Sequence, residues 1–207
     1  VTSLFLFVLL GLMYFYSYIM IISLMIIAVI SWLEFYWLIS KIYKKNEIIK
    51  LFYKFFAMTY LFLIFFGILF IESNNPELKI FFVYIIIISI ASDIGGLVFG
   101  KLFKGKKLTK ISPNKTISGS IGSFVFSFMA IPFFNSLITS HEVFSLFIMT
   151  ALISLTTQIG DLLISLIKRK AKVKNTSDLL PGHGGVLDRI DGIIFAIPIG
   201  FILLNYF

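Results

Sequence analysis

The sequence predicts an all-α polytopic integral membrane protein with about seven transmembrane helices. Three observations carry this. The 207 residues are 59% hydrophobic and 14% charged, against about 25% charged in an ordinary soluble domain, and mean hydropathy is +1.02. The apolar residues fall in continuous runs near the length that crosses a hydrocarbon core. The eighteen Lys and Arg, which give a net charge of +8, gather in short stretches between those runs. One water-exposed core of this size could not hide so much apolar surface, so lipid must be the solvent for most of the chain.

Taken in order, the runs are Ser3–Phe15, Tyr18–Ser40, Leu51–Ile71, Ile80–Gly100, Ile117–Ile138, Val143–Ile167 and Ile190–Phe207. The first is short and closely follows into the second. It lacks a basic leader and an Ala-x-Ala site, so it reads as a span, bent or tilted, rather than a cleaved signal; Val1 leaves open whether a short basic stretch precedes it. Helices are the default in lipid because each backbone amide needs a partner within the protein. A β-barrel would need alternating segments of about ten residues, and these runs are continuous. One domain over 1–207 is expected, with N-terminal helices in 1–71 and a catalytic part over about 80–207. The Phe and Ile content is lipid-facing bulk.

The cations set orientation. Segment 41–54 carries Lys41, Lys44, Lys45, Lys50 and Lys54. Segment 101–115 carries Lys101, Lys104, Lys106, Lys107, Lys110 and Lys115. Segment 168–174 carries Lys168, Arg169, Lys170, Lys172 and Lys174. Two predicted crossings separate each basic stretch from the next, so all three share a face. The positive-inside bias makes that face cytoplasmic, in the cell's inner (plasma) membrane.

Acids in or near apolar spans are costly and are functional candidates by default. Glu34, Asp93, Asp161, Asp188 and Asp191 stand out. Asp161, Ser165 and Lys168 are spaced four and three apart, so a carboxylate, a hydroxyl and an ammonium share one helical stripe. Asp188 and Asp191 are three apart at an expected helix start and, with Asp161, offer the hard oxygen ligands Mg²⁺ prefers. The stretch Pro181-Gly182-His183-Gly184-Gly185 could bring backbone N–H groups close to a phosphate. Ser112, Lys115 and Thr116 set hydroxyls and an ammonium before Gly119. Lysines, carboxylates and pliable backbone at a membrane surface suit a polyphosphate held with a divalent metal. For His183 the glycine-rich loop matters more than the imidazole. Asp93 and Glu34 read equally well as structural or functional acids. Gly95, Gly96, Gly119 and Gly122 suit close helix packing, and His141 is given no role. Zero cysteines exclude disulfides, thiolate zinc and a cysteine nucleophile.

These residues resemble a known family. Ser165-x-x-Lys168-Arg169-x₄-Lys174, continuing to Pro181-x-His183-Gly184-Gly185-x-x-Asp188-Arg189-x-Asp191, is similar to the long C-terminal motif of the CDP-diacylglycerol synthases, the phosphatidate cytidylyltransferases. Gln158, Gly160 and Asp161 match its preceding element. Asp93, Gly95, Phe99, Gly100, Lys101, Ser112, Pro113, Lys115 and Thr116 match an earlier series, and Trp32-Leu33-Glu34-Phe35 echoes an aromatic-acid element. The resemblance covers roughly residues 30 to 207. It implies transfer of CMP from CTP to phosphatidate, giving CDP-diacylglycerol and pyrophosphate with Mg²⁺, a second cation being left open. Asp161, Lys168, Arg169 and Asp188 would be catalytic. Asp161 and Asp188 would hold metal, with Asp191 a weaker ligand. Ser112, Lys115, Thr116, Ser165, Lys174, His183, Gly184, Gly185 and Arg189 would bind substrate. The partners expected are CTP, phosphatidate and the bilayer, with no nucleic acid; a homodimer is compatible with the Gly and Phe faces.

The resemblance has departures. Ile164 stands where the family usually carries Glu and Asn175 where it carries Asp, with Asp178 a nearby substitute. Lost carboxylates there bear on activity more than on fold. The alternatives are a CTP-dependent lipid kinase, a cytidylyltransferase of another lipid phosphate, or a catalytically weakened paralogue. A transporter would spread its acids to mid-bilayer depth; here they cluster beside lysines and glycines.

Overall fold

The computed structural model describes residues 17–74, 76–109, 112, 115–135, 142–179 and 184–204. Among them the order is α1 (Ser17–Ile42), α2 (Glu47–Asn74), α3 (Pro76–Phe103), α4 (Ile117–Phe128), α5 (Ile131–Asn135), α6 (Val143–Lys170), α7 (Leu187–Ile190) and α8 (Ile193–Leu204). No strand occurs among the described residues, only a bridge between Lys107 and Thr116. The all-α polytopic membrane class is what the sequence predicts. Among the described residues five stretches are long and apolar enough to cross a membrane: within α1, α2, α3 and α6, and over α4 with α5.

The other two predicted runs end differently. Ser3–Phe15 lies outside the described residues. The run predicted from Ile190 is not one helix. It opens as the short α7, turns at Asp191–Gly192 and resumes as α8 with Pro198 inside it. Twelve helical residues rise about 18 Å, short of a hydrocarbon core of about 30 Å. The run predicted over Ile117–Ile138 is also divided, at Met129–Ala130. Pro132 has no N–H, and its ring collides with the carbonyl four residues back, so the first helix stops there.

The chain divides into two compact units. One takes the chain up to Phe70 together with Thr176–Leu187, and the other takes Ile71–Asn175 and Asp188–Phe207. Nothing in the sequence signals that 176–187 belongs with the N-terminal helices.

In the first unit, α1 and α2 meet through Trp32, whose Nε1–H donates to the Lys54 carbonyl at 3.2 Å, while the Lys54 ammonium lies over the Trp32 and Tyr36 rings. Phe52, Phe55, Phe56, Phe62 and Phe66 of α2 are exposed, the lipid-facing bulk expected of such a helix.

In the second unit, α3, α6 and α8 pack around buried Ile85, Ile88, Met149, Ile153, Ala196 and Ile197. Hydroxyls tie α3 to α6 inside this apolar packing. Tyr84 Oη and Thr150 Oγ1 are 2.6 Å apart, Ser92 and Ser154 Oγ are 2.9 Å apart, and Thr157 donates to Ser89 at 3.1 Å. Interhelical bonds of this kind hold helices together where lipid supplies no hydrophobic drive between them.

The closest helix pairing is α3 with α4. Gly95, Gly96 and Gly100 face Gly119, Gly122 and Ser123. A Cβ on Gly119 would lie 2.7 Å from the Gly96 carbonyl oxygen, and one on Gly122 would lie 2.8 Å from that of Gly95 and run into the Phe99 side chain. Backbone therefore rests on backbone. Gly67 of α2 has nothing within 4 Å of such a Cβ. Gly122→Ala should accordingly cost about 1–3 kcal/mol through overpacking, whereas Gly67→Ala should be neutral or stabilising by up to about 1 kcal/mol. Thermal unfolding of the two variants in detergent checks this; equal melting temperatures would contradict the close crossing.

Candidate active site

The loop between α3 and α4 folds back on itself. Leu108 N–H donates to the Lys115 carbonyl at 2.8 Å, Ile117 N–H to that of Lys106 at 2.9 Å, and Lys115 N–H to that of Ser112 at 3.1 Å. Thr116 then caps α4. Its Oγ1 accepts from Gly119 N–H at 3.1 Å and lies 3.0 Å from Ser118 Oγ. The hydroxyl expected to bind substrate thus carries a helix end, a role that Thr before the apolar run could have signalled. The folded loop delivers the Lys115 ammonium to an ion pair with Asp161.

Asp161 lies on α6. Ser165 Oγ donates to it at 3.4 Å, one turn on, as the stripe predicts. Three residues further, Lys168 Nζ reaches Asp188 Oδ1 at 2.7 Å, both side chains being about one-tenth exposed. Helix α6 ends directly afterwards. Lys172, at φ 57°, takes the left-handed position that closes it, with Lys172 N–H on the Arg169 carbonyl and Val173 N–H on that of Lys168, both at 3.0 Å.

Asp191 is buried, accepts from Gly192 N–H at 3.0 Å, and stands in side-chain hydrogen-bond contact with Asp161, within the field of Lys168. Glycines permit this approach. A Cβ on Gly160 would be 2.9 Å from the Asp191 carbonyl oxygen, and one on Gly192 would be 2.9 Å from that of Thr157. Asp188, in α7, goes to Lys168, and Asp191, at the turn just after α7, goes to Asp161.

Asp93 of α3, exposed toward the cavity, feels the charges of both Asp161 and Lys115. The cavity is about 350 Å³. Asp93, Lys115 and Asp161 line it beside Ser112, Gln158 and the glycine wall of Gly96 and Gly119. Gln158 accepts from Ser120 Oγ at 2.5 Å and donates to Ser154 at 3.4 Å. Gln158 and Ser154 extend the Asp161–Ser165–Lys168 stripe by the same spacing, so running that spacing back past Gln158 would have found Ser154. Among the described residues no ready cage of three acids or histidines is formed.

Other predicted residues are placed as follows. Arg169, Lys174 and Arg189 are exposed. Gly184 and Gly185 are buried in the first unit, Gly185 against Glu34 and Thr176. His183 lies outside the described residues.

The sequence profile described as the cytidylyltransferase family matches residues 1–207. The chain belongs to that family. It is 38% identical over 144 residues to a phosphatidate cytidylyltransferase of Rickettsia bellii, covering 66% of this chain and 62% of the relative. It is 38% identical over 142 residues to that of Staphylococcus aureus, covering 67% and 54%, and 36% identical over 125 residues to that of Helicobacter pylori, covering 60% and 47%. The chain therefore spans about half to three-fifths of the length of these relatives. Ile164 is buried at 4% exposure, a position suited to an apolar side chain, and Asn175 and Asp178 are exposed.

The Lys168–Asp188 pair makes a structural prediction independent of chemistry. Removing one partner strands a largely buried charge, so Lys168→Met or Asp188→Asn should each cost about 3 kcal/mol. The double variant should lose less than the sum. Melting of the three proteins in detergent measures the coupling; strict additivity would mean the pair does not form.

Proposed function

We propose that this chain is an integral-membrane phosphatidate cytidylyltransferase, joining CTP and phosphatidate into CDP-diacylglycerol and pyrophosphate for phospholipid synthesis. One observation carries the reading. Asp93, Lys115 and Asp161 line one cavity, with Asp191 against Asp161 and Lys168 paired with Asp188, in a cytidylyltransferase-family chain.

The donor set fits a divalent cation. Two carboxylates as close as Asp161 and Asp191 repel unless a cation or proton lies between them, and hard oxygens are what Mg²⁺ takes. Asp161 and Asp191 would hold it, with Asp188 released to it from Lys168 as substrate phosphate takes over the ammonium. When bound, the metal would neutralise the phosphate charge that grows as pyrophosphate departs.

The protein's own residues do the remainder. Lys115 and Lys168 would bind phosphate oxygens, and exposed Arg169, Lys174 and Arg189 would draw the anionic substrates in. Ser112 and Ser165 would donate to phosphate oxygens. A phosphatidate phosphate oxygen bonds to the α-phosphorus of CTP and the bond from that phosphorus to the bridging oxygen of pyrophosphate breaks. No base is needed, because the attacking phosphate is already ionised. Alignment and charge neutralisation supply most of the acceleration.

The distribution of Lys and Arg supports a cytoplasmic site. The basic stretches lie at the α1–α2, α3–α4 and α6–α7 connections, and two membrane-crossing stretches separate each from the next.

Membranes containing the chain, supplied with labelled CTP, phosphatidate and Mg²⁺, should yield CDP-diacylglycerol and pyrophosphate. Asp161→Asn or Lys168→Met should lower the yield by about 100-fold or more. Release of CDP in place of pyrophosphate, or product formation indifferent to both substitutions, would refute the assignment.

A further inference from the structure

Glu34 is 5% exposed in an otherwise apolar stretch of α1, and it accepts four hydrogen bonds. Its Oε1 takes Ser177 Oγ at 2.6 Å and Val186 N–H at 3.0 Å. Its Oε2 takes Thr176 Oγ1 at 2.7 Å and Leu187 N–H at 2.8 Å. Each oxygen therefore binds one hydroxyl from the segment leading into a loop and one backbone amide from the segment leading out. A single carboxylate joins both ends of the stretch between Thr176 and Leu187.

We propose that Glu34 is a positioning residue that clasps this loop shut and fixes the chain's entry into α7, whose second residue is Asp188. The inference rests on the cytidylyltransferase reading for its catalytic consequence, though not for the clasp itself.

The chemistry of the four partners explains why the residue is an acid. All four are donors, and an ionised carboxylate is acceptor-only with about four lone-pair directions. Gln would turn an N–H₂ group toward a hydroxyl and an amide that both need an acceptor. Asp would fall one methylene short. The backbone is shaped to the same end. Gly184 takes φ 83°, a left-handed turn open to glycine. A Cβ on Gly185 would lie 2.6 Å from Glu34 Oε1, so any side chain there would prise the clasp apart. With its four acceptor directions filled by protein donors, Glu34 has none left for a metal or a substrate proton, and its contribution must run through the loop.

The absence of cysteine gives a clean test. A spin label on Leu179→Cys, an exposed loop position, reports loop order in parallel with steady-state kinetics on CTP and phosphatidate. In that background E34Q should raise label mobility and lower kcat/KM about tenfold or more, with most of the loss in kcat, alongside a lower detergent melting temperature from the donors it strands. Should E34Q not fold, the pair Thr176→Val with Ser177→Ala keeps the carboxylate, removes half its donors, and should shift both readouts in the same direction by less. A purely structural role would lower melting temperature and yield while leaving per-molecule turnover and the label spectrum alone, and that outcome overturns the proposal. So does a mobile label with unchanged kinetics. If the parent itself makes no CDP-lipid, the enzymatic assignment fails, while the label spectra still decide whether the clasp exists.

Discussion

Charge of like sign brought close together in a low-dielectric setting is the constraint around which the second unit is built. Asp161 and Asp191 touch, which two carboxylates do only when something holds them there. Here the holding is backbone geometry. Gly160 and Gly192 let α6 approach the turn between α7 and α8 until main-chain atoms nearly meet, and that approach brings Asp161 and Asp191 face to face. Lys115 and Lys168 offset part of the charge. Counting Asp93 and Asp188, four acids stand against two ammonium groups, a net negative cluster bordered by exposed cations. Such an arrangement is unfavourable as an inert core and favourable as a receptacle for a metal carrying polyphosphate.

Close glycine packing also explains how the cavity coexists with a tightly packed unit. The α3–α4 crossing removes side chains from one wall, where Gly96 and Gly119 line the cavity. The folded 106–117 loop then carries Lys115 over that wall to α6. One helix contact thus stabilises the unit and sets an ammonium against Asp161, so a larger side chain in the crossing affects both.

Composition and period made the helices legible: continuous apolar runs can do little else in lipid, and the spacing from Asp161 to Lys168 gave the true stripe. The failures have local causes. Pro132 divides a run that hydropathy reads as continuous, because hydropathy is blind to a missing N–H. The run from Ile190 turns at Gly192, packed on Thr157, a break that hydropathy does not register. Thr116 reads as a phosphate ligand beside Lys115; it lines the cavity, and its hydroxyl also caps α4, a second role the sequence reading did not assign. Ser120 passed unnoticed because its bond to Gln158 spans 38 residues and no periodicity links the two.

Glu34 and Asp161 show why an acid in an apolar helix is not self-explanatory. Both look alike in sequence, one carboxylate among apolar neighbours. They differ in the kind of partner the fold supplies. Around Glu34 four neutral donors converge with short bonds, distributing its charge over hydroxyls and amides that themselves need an acceptor; the group is stable as it stands. Around Asp161 the partners are a lysine, a distant hydroxyl and another carboxylate, and that set balances only when a further cation or a substrate rearranges it. Satisfaction by neutral donors marks an acid that shapes the chain, whereas balance by mobile ammonium groups marks one poised to exchange partners. On that physical distinction Glu34 reads as architecture, and Asp161 as the acid that the proposed chemistry would use.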